Sequence, residues 1–346
     1  MAQYSNYSYK KKGRTFTVVL DGSGTATAIS VIKGLKKQNK YKVKIVAMDM
    51  NEMNAGRFFV DKFYVVPSAS AENFIEKVLQ ICEEEKADIF VPIIDTAFLK
   101  LSQNRDRFKE VGAFLLLANK KALEITSDKL KTHEFFMGNN IPAPRVFKGD
   151  KDLDFPVFVK PRVGGRASIN AFKVENSKEL ELYLSKIPDL LIQEYIEGDE
   201  FTADCLNSLD GKRFIECIVR KRVETKGGVS VKAEIISGDI EKRIKEYIAS
   251  FSVKLEIPGA YNVQGFVRDN GDILFTEINP RFAGTHAFTI EAGLNSIEYI
   301  LDMFCGVDPD EIKGSVNINY NLKMVRYWDE IFIDGEKVFN PWNLWR

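Results

Sequence analysis

The first 120 residues alternate short apolar runs with helically spaced segments, and this rhythm constrains the fold more than any other feature. An apolar run at Phe16 to Leu20 precedes helical spacing over residues 28–35, and a second run follows at Val43 to Met48. Further strands are predicted at Ile89 to Ile94 and at Phe114 to Leu117. Strands that alternate with helices form parallel, doubly wound sheets with right-handed crossovers. The sequence therefore predicts a Rossmann-like α/β domain at the start of the chain.

A glycine turn follows the first predicted strand, where Gly22 and Gly24 begin a partial dinucleotide-binding motif. Its third position is Thr27 rather than glycine, and the candidate ribose-binding acid, Asp49, comes later than the usual spacing of about 20 residues. One interpretation is a nicotinamide-dependent dehydrogenase. The other is a tight turn that serves only to connect the strand to its helix.

From residue 121 the pattern changes to a small α+β unit followed by a strand-rich region. Asp128 is placed to cap a helix that starts at Lys129, and a strand is predicted from Pro156 to Lys160. A glycine-bearing turn at residues 164–168 follows that strand. A lysine beside flexible backbone N–H groups suits phosphate oxygens, although no Walker A sequence occurs. A lone lysine is otherwise an ordinary surface charge.

A hairpin at residues 260–281 carries the most informative polar pattern. Asn270-Gly271 favours a two-residue type I′ turn, which would pair Asp269 with Asp272. Side chains alternate between the two faces of a strand, so one face is expected to carry a compact patch of oxygen ligands beside an apolar pair. The predicted cross-strand pairs are Phe266 with Phe275, Gln264 with Glu277 and Asn262 with Asn279. Such a patch suits Mg²⁺, but a solvated polar face would have the same pattern.

Composition excludes several classes of protein. The 49 Lys and Arg balance 49 Asp and Glu, which argues against a dedicated nucleic-acid binder. No apolar run approaches the roughly 18 residues that a membrane span requires. The four cysteines are scattered and only two histidines occur, which disfavours a zinc site and histidine-based triads. We therefore expect a cytoplasmic protein with reduced thiols and no membrane or nucleic-acid partner.

Taken in order, these motifs resemble those of the ATP-grasp superfamily, in the branch similar to the carbamoyl phosphate synthetase large subunit and to pyrrolysine-pathway ligases. Residues 50–67 also resemble the domain that precedes the grasp fold in this branch. The matching segments are Asp128-Lys129-x-x-Thr132, Val159-Lys160-Pro161-Arg162 with its glycine turn, Gln193 through Glu200, Arg220-Lys221-Arg222, Gln264, and Glu277-Ile278-Asn279-Pro280-Arg281.

The resemblance implies a pre-ATP-grasp Rossmann-like domain at residues 1–120, a small lid subdomain at 121–195 and a larger subdomain with an antiparallel sheet and a metal site at 196–346. It also implies a role for each matching residue. ATP would contact Lys129, Lys160, Gly164, Gly165, Gln193, Glu194, Tyr195, Ile196 and Glu200. Mg²⁺ or Mn²⁺ would bind Gln264, Glu277 and Asn279, and the catalytic cations would be Arg281, Lys160 and Arg222.

The function implied is an ADP-forming carboxylate–amine ligase that works through an acyl phosphate on small, amino-acid-like substrates. Such chemistry needs no protein nucleophile, because phosphoryl transfer depends on positioning and charge stabilisation. The alternative is an ATP-binding regulatory or scaffolding protein without turnover. A single grasp unit argues against a carbamoyl phosphate synthetase. Relatives often dimerise, so a homodimer is a further expectation.

Overall fold

The computed structural model describes residues 15–149, 153–164 and 169–339. It has an N-terminal parallel sheet, a small antiparallel sheet and a large antiparallel sheet. Within the described residues, no helix is long and apolar enough to cross a membrane.

The N-terminal sheet contains five parallel strands in the order β3-β2-β1-β4-β5, which confirms the predicted Rossmann-like topology. Its strands are β1 (Thr15–Leu20), β2 (Lys42–Asp49), β3 (Lys62–Val65), β4 (Ile89–Val91) and β5 (Phe114–Leu115). Its helices are α1 (Ala26–Lys37), α2 (Phe74–Glu84), α3 (Phe98–Gln103), α4 (Arg105–Glu110) and α5 (Lys120–Thr126). Single 3₁₀ turns lie at Ala55–Phe59 and Asp95–Ala97.

Two details of this sheet differ from the sequence prediction. The strand β4 ends at Val91 rather than Ile94, because the backbone N–H groups of Ile93 and Ile94 donate to the Asp21 carboxylate instead of continuing the ladder. The short strand β3 was not predicted. The glycine turn after β1 is tied to the protein itself, since the Gly24 N–H donates to Asp49 at 3.0 Å. Asp49, the acid that a dinucleotide site would need, is thus engaged in the turn.

The second sheet has four antiparallel strands in the order β6-β9-β7-β8. Its elements, with the helix that precedes them, are α6 (Lys129–Gly138), β6 (Val146–Phe147), β7 (Val157–Pro161), β8 (Phe172–Val174), α7 (Ser177–Lys186) and β9 (Leu190–Glu194). A small core of its own lies between this sheet and α7, formed by Val157, Val159, Val174, Leu180 and Ile192.

The third sheet has six antiparallel strands in the order β14-β13-β10-β11-β12-β15. Its strands and the helix α8 are β10 (Asp199–Asn207), β11 (Phe214–Lys226), β12 (Val229–Ile235), α8 (Asp239–Leu255), β13 (Ala260–Val267), β14 (Ile273–Asn279) and β15 (Lys323–Val325). Between β14 and β15 lie α9 (His286–Glu291), α10 (Ser296–Phe304) and α11 (Pro309–Ser315), and a terminal hairpin comprises β16 (Phe332–Asp334) and β17 (Lys337–Phe339).

The first and third sheets share their hydrophobic cores. One cluster joins Val19 and Phe90 to Phe201 and Phe275, and a second joins Leu20 to Ile297 and its neighbours on α10. Helix α1 lies close to α9 and α10 at Gly34, where an added Cβ would come within 2.8 Å of Ile290 and 2.9 Å of Ile297. The helices α9 and α10, from the C-terminal part of the chain, thus complete the packing of the first domain.

Candidate active site

A cavity of about 670 Å³ lies where the three sheets meet, a size typical of small-molecule sites. It is lined by residues from the N-terminal domain, the lid sheet and the six-stranded sheet. Eleven of the residues to which the resemblance assigns a role line it: Lys129, Lys160, Gln193, Tyr195, Ile196, Glu200, Arg222, Gln264, Glu277, Asn279 and Arg281. Glu194 and Gly164 do not, and Gly165 lies outside the described residues.

An ion pair brings the two candidate lysines together. Asp128 caps α6 by accepting the N–H groups of Leu130 and Lys131 at 3.0 and 3.3 Å. The same carboxylate accepts two hydrogen bonds from the Arg162 guanidinium, at 2.9 and 2.7 Å. The backbone N–H of Lys129 donates to the Arg162 carbonyl at 3.0 Å. Since Arg162 follows Lys160 by two residues, this clamp holds both lysines at one wall of the cavity.

Lys160 is buried, with only 6% of its surface exposed. Burial lowers the pKa of Lys160 to about 8, with Lys129 adding repulsion and the Glu277 carboxylate opposing the shift. The charged ammonium is therefore poorly stabilised, because little solvent reaches it. An anion with several oxygens, such as a polyphosphate, would stabilise the charged ammonium by placing negative charge beside it.

The hairpin β13–β14 has the predicted polar pairs but not the predicted turn. Asn262 pairs with Asn279 and Gln264 with Glu277. The turn has three residues between Arg268 and Asp272, with Gly271 at φ +83°, so the pairing of Asp269 with Asp272 is wrong.

The predicted pairing of Phe266 with Phe275 is also wrong. Phe266 pairs with Leu274, and Phe275 pairs with Gly265 and lies in the core on the opposite face. A bulge at Thr276 then shifts the register by one residue and restores the polar pairs. Gly265 is required there, because an added Cβ would come within 2.3 Å of the Leu274 carbonyl.

A chain of amide hydrogen bonds orients the candidate metal ligand Asn279. The Arg281 carbonyl can only accept, so the Asn262 amide must direct its Nδ2 toward it, at 3.0 Å. The Asn262 Oδ1 then accepts from the Asn279 Nδ2 at 3.2 Å. This leaves the Asn279 Oδ1 available to a ligand. Asn262 itself is buried and acts as the support of this arrangement.

The donor set fits a hard cation. Glu277 supplies a carboxylate, while Gln264 and Asn279 supply amide oxygens from the same sheet face. Within the described ranges, no group of three or more His, Cys, Asp or Glu residues is placed to hold a metal by itself. A site with so few protein charges matches Mg²⁺, which usually completes its octahedron with water and substrate phosphates.

The other wall of the cavity contains the linker between β9 and β10. Gln193 and Ile196 are buried, and the Lys173 ammonium lies 4.7 Å from the centre of the Tyr195 ring. The Glu194 side chain does not line the cavity, because it lies on the opposite face of β9. It accepts hydrogen bonds there from the Arg268 guanidinium at 2.9 Å and from the Arg145 N–H at 3.0 Å.

Glu200 and Arg222 form an ion pair in the cavity, with 3.2 Å between Arg222 Nε and Glu200 Oε2. Burial raises the pKa of Glu200, and Arg222 opposes that shift. Arg222 also donates to the Gly228 carbonyl at 2.9 Å, which ties it to the tip of the β11–β12 hairpin. Arg222 therefore has two partners within the protein, so its guanidinium is oriented before any ligand binds.

Asp95 is a site residue that the sequence analysis missed. It lines the cavity and accepts two hydrogen bonds from the Arg281 guanidinium, one of them, from Nη2, at 3.0 Å. Arg281 also donates to the Phe282 carbonyl. A signal was available, because Asp95 directly follows the predicted strand at Ile89 to Ile94. In doubly wound sheets, ligand-binding residues lie at the carboxyl ends of strands.

Two family models match the chain. One, described as PylC-like, N-terminal domain, matches residues 11–116. The other, described as ATP-grasp in the biosynthetic pathway with Ter operon, matches residues 186–325. Together they cover parts of both large sheets and most of the residues that line the cavity.

Relatives of known activity have low sequence identity to this chain but align with most of its length. A carbamoyl-phosphate synthase of Methanobrevibacter smithii is 22% identical over 283 residues, which covers 76% of this chain and 75% of that protein. A 3-methyl-D-ornithine–L-lysine ligase of Methanosarcina acetivorans is 25% identical over 277 residues, covering 79% of this chain and 70% of that protein.

Solved structures share the fold. A biotin carboxylase complex from Campylobacter jejuni has a TM-score of 0.69 at 17% identity and covers 87% of this chain and 73% of that one. N5-carboxyaminoimidazole synthetase from Staphylococcus aureus, complexed with ADP, has a TM-score of 0.68 at 16% identity and covers 87% and 80%. Residues 186–325 thus match an ATP-grasp family model, and the chain shares its fold with these two solved structures.

Proposed function

We propose that the protein joins a small-molecule carboxylate to an amine at the expense of ATP, through an acyl phosphate. The observation that carries this proposal is that Lys129 and the buried Lys160 line the same cavity as the oxygen ligands Gln264, Glu277 and Asn279. The 3-methyl-D-ornithine–L-lysine ligases among the relatives support substrates that resemble amino acids.

In this proposal the triphosphate lies between the lysines and the hairpin β13–β14. Lys129 and Lys160 bind phosphate oxygens, while Gln193, Tyr195 and Ile196 enclose the adenine and Glu200 accepts hydrogen bonds from the ribose. Glu277, Asn279 and Gln264 would hold Mg²⁺, and the ion would supply positive charge for the phosphoryl oxygens. Gly164 and Gly165 are assigned to the nucleotide site from the sequence pattern, and Gly165 lies outside the described residues.

The reaction has two displacement steps. A carboxylate oxygen attacks the γ-phosphorus, the bond to the β-phosphate oxygen breaks, and ADP leaves. The amine nitrogen then attacks the acyl carbon, inorganic phosphate departs with the bonding electrons, and the nitrogen loses a proton. The Arg281 guanidinium, oriented by Asp95, faces the phosphoryl group or the acyl oxygen. Arg222 adds positive charge beside the ribose end.

The test is to incubate the protein with MgATP, a panel of amino acids and other small acids, and hydroxylamine. We expect ADP release together with a hydroxamate, because hydroxylamine traps an acyl phosphate. Tight ATP binding without ADP release for any acid would instead favour a regulatory or scaffolding protein.

A pair of variants ties the activity to this cavity. Glu277→Gln removes the only carboxylate of the metal set and should lower kcat by about 100-fold or more. Glu76→Gln is the matched control, since Glu76 is an exposed residue of α2 that pairs with Arg107. Both variants should unfold at temperatures near that of the parent protein. Equal activity in the two variants would remove Glu277 from the proposed metal site.

A homodimer is part of the proposal, because the biotin carboxylase domain of 2-oxoglutarate carboxylase from Hydrogenobacter thermophilus was solved as a dimer. Sedimentation equilibrium at micromolar concentration tests this directly, and a mass equal to one chain would contradict it.

A further inference from the structure

Asp21, which directly follows β1, fastens the loop that carries Asp95. This segment, residues 92–97, is the β4 loop. The Asp21 carboxylate is buried, and its Oδ1 atom accepts the backbone N–H groups of Ile93 and of Ile94, the latter at 3.3 Å. Since Ile94 caps the 3₁₀ turn Asp95–Ala97, these hydrogen bonds fix the point at which that turn begins.

The β4 loop is also held by packing against the turn after β1. An added Cβ at Gly22 would lie 2.6 Å from Ile94 Cδ1, so the Ile94 side chain packs directly on the Gly22 backbone. Gly22 has φ +60°, and its carbonyl accepts the Thr25 N–H at 2.9 Å, so this surface belongs to a hydrogen-bonded turn. Two hydrogen bonds and one close contact therefore join the β4 loop to the end of β1.

The β4 loop connects Asp21 to the cavity. Asp95 lines the cavity and accepts two hydrogen bonds from the Arg281 guanidinium, the one from Nη2 at 3.0 Å. A guanidinium in a bidentate pair takes its orientation from the carboxylate that binds it. A displacement of the β4 loop would therefore turn Arg281, although Asp21 itself does not line the cavity.

The strength of this attachment depends on the protonation of Asp21. Burial raises the pKa of Asp21 to about 7 against the two backbone hydrogen bonds, and the carboxylates of Asp95 and Asp49 add to the increase. These carboxylates are the charged groups that act on Asp21 from the β4 loop and from the end of β2, and residues 22–32, in the turn and in α1, contain no charged side chain.

The two protonation states of Asp21 hold the β4 loop differently. An ionised carboxylate accepts charge-assisted hydrogen bonds, which are stronger than those to a neutral acid. The second oxygen, Oδ2, has no partner among the described residues, so a proton placed there also lacks an acceptor. Protonation of Asp21 should therefore loosen the β4 loop.

We propose that Asp21 is a positioning residue, which holds the β4 loop in place and, through Asp95, sets the orientation of the Arg281 guanidinium in the cavity. In the ligase reaction this orientation governs how well Arg281 meets the phosphoryl group or the acyl oxygen. The effect on turnover rests on the proposed function. The connection from Asp21 to Arg281 does not, because it exists in the protein without substrate.

Nuclear magnetic resonance of the protein labelled with ¹⁵N-arginine observes this connection directly. The Nε–H signal of Arg281, assigned from its absence in Arg281→Lys, is followed across a pH titration. In the parent protein we expect its chemical shift to change with a midpoint near pH 7. Asp21→Asn can accept the same two N–H groups but does not titrate, so it should remove this change. A parent signal that does not change near this pH would overturn the inference.

Asp21→Ala tests the geometry, because it removes the acceptor of both N–H groups. The two loop amides should exchange with solvent about tenfold faster, as expected for the loss of a hydrogen bond, and the Arg281 signal should shift further than in Asp21→Asn. Asp88→Ala is the matched control, since the Asp88 carboxylate accepts the Thr17 N–H at 2.9 Å at the other end of the same strand pair. It should leave the Arg281 signal unchanged.

Turnover provides a second measurement. Asp21→Ala should lower kcat about tenfold, with the KM for MgATP within twofold of the parent, because the proposed phosphate-binding lysines are not affected. The kcat of the parent should fall as the pH drops below about 7, where Asp21 gains its proton. In Asp21→Asn this inflection should be absent.

Each result has a distinct meaning. An Arg281 signal that is the same in Asp21→Ala and the parent, while the loop amides exchange faster, would limit Asp21 to a structural role and overturn the inference. An equal effect of Asp88→Ala would do the same. If Asp21→Ala does not fold, the titrations of the parent and of Asp21→Asn decide. An Arg281 signal that depends on Asp21, in a protein that releases no ADP for any acid, would leave the positioning role intact and contradict the ligase function instead.

Discussion

Substitution of Asp128 should lower both the stability of the protein and its affinity for nucleotide, and the two effects can be measured separately. Its carboxylate caps α6 and forms the bidentate pair with Arg162 that holds Lys129 beside Lys160. Removing a cap of this kind costs about 1 kcal/mol. Arg162 is about a third exposed, so screening limits the ion pair to roughly 1 kcal/mol more.

Asp128→Ala should therefore lower the free energy of unfolding by about 2 kcal/mol. Asp128→Asn should lower it by about 1 kcal/mol, because asparagine caps a helix as well as aspartate does but cannot pair with Arg162. In both variants the two lysines lose their common anchor. The KM for MgATP should rise about tenfold, which corresponds to about 1.4 kcal/mol of binding, while the KM for the acid changes little.

Urea unfolding gives the stabilities, and initial rates of ADP release give the KM values. Asn176→Ala is the matched control, since Asn176 caps α7 in the same subdomain without contacting either lysine. It should lose about 1 kcal/mol of stability and keep its KM for MgATP. The reasoning fails if Asp128→Asn is as unstable as Asp128→Ala, or if Asn176→Ala raises the KM for MgATP equally.

Three further predictions concern other parts of the molecule. Burial opposes ionisation of Glu85, but hydrogen bonds from Lys44, Lys62 and Tyr64 outweigh it and lower the pKa of Glu85 to about 2. This carboxylate should contribute up to about 3 kcal/mol of stability above pH 4.5, which is lost as the pH falls toward 2, and Glu85→Gln should flatten that part of the acid-unfolding profile. Asp95→Asn should lower kcat about tenfold with the KM for MgATP unchanged in steady-state assays, because Arg281 loses its orienting partner. Asn262→Ala should raise the Mg²⁺ concentration needed for half-maximal activity about tenfold, measured by metal titration. An unchanged value would show that the hydrogen bond from Asn279 to Asn262 does not orient a metal ligand.

Sequence reasoning located the polar face of the hairpin β13–β14 through two errors that cancel. The turn is one residue longer than predicted, which shifts the pairing of Phe266 and Phe275. The bulge at Thr276 adds a residue on the other strand and restores the pair Gln264 and Glu277. Turn length and bulges depend on packing against Phe201 and the core, which no local pattern encodes.

Two other features of the site were not predicted from the sequence, and the reasons differ. The pair of Asp95 and Arg281 joins residues 186 positions apart, so no periodicity connects them. The departure of Glu194 from the cavity was open to prediction, because neighbouring residues of a strand face opposite sides and Gln193 faces inward. The Rossmann-like sheet and the cap at Asp128 follow from periodicity and residue type, and both were predicted.

The separate core of the lid sheet has a consequence for motion. The first and third sheets share buried side chains and must move together, whereas the lid depends on five buried residues and the stacked rings of Phe172 and Tyr183. Small cooperative units of this kind open before the rest of a protein unfolds. Amide hydrogens of β7, β8 and α7 should therefore exchange with solvent as one group, faster than those of β1 or β10. If nucleotide binds Lys160 as proposed, its binding should slow the exchange of that group selectively.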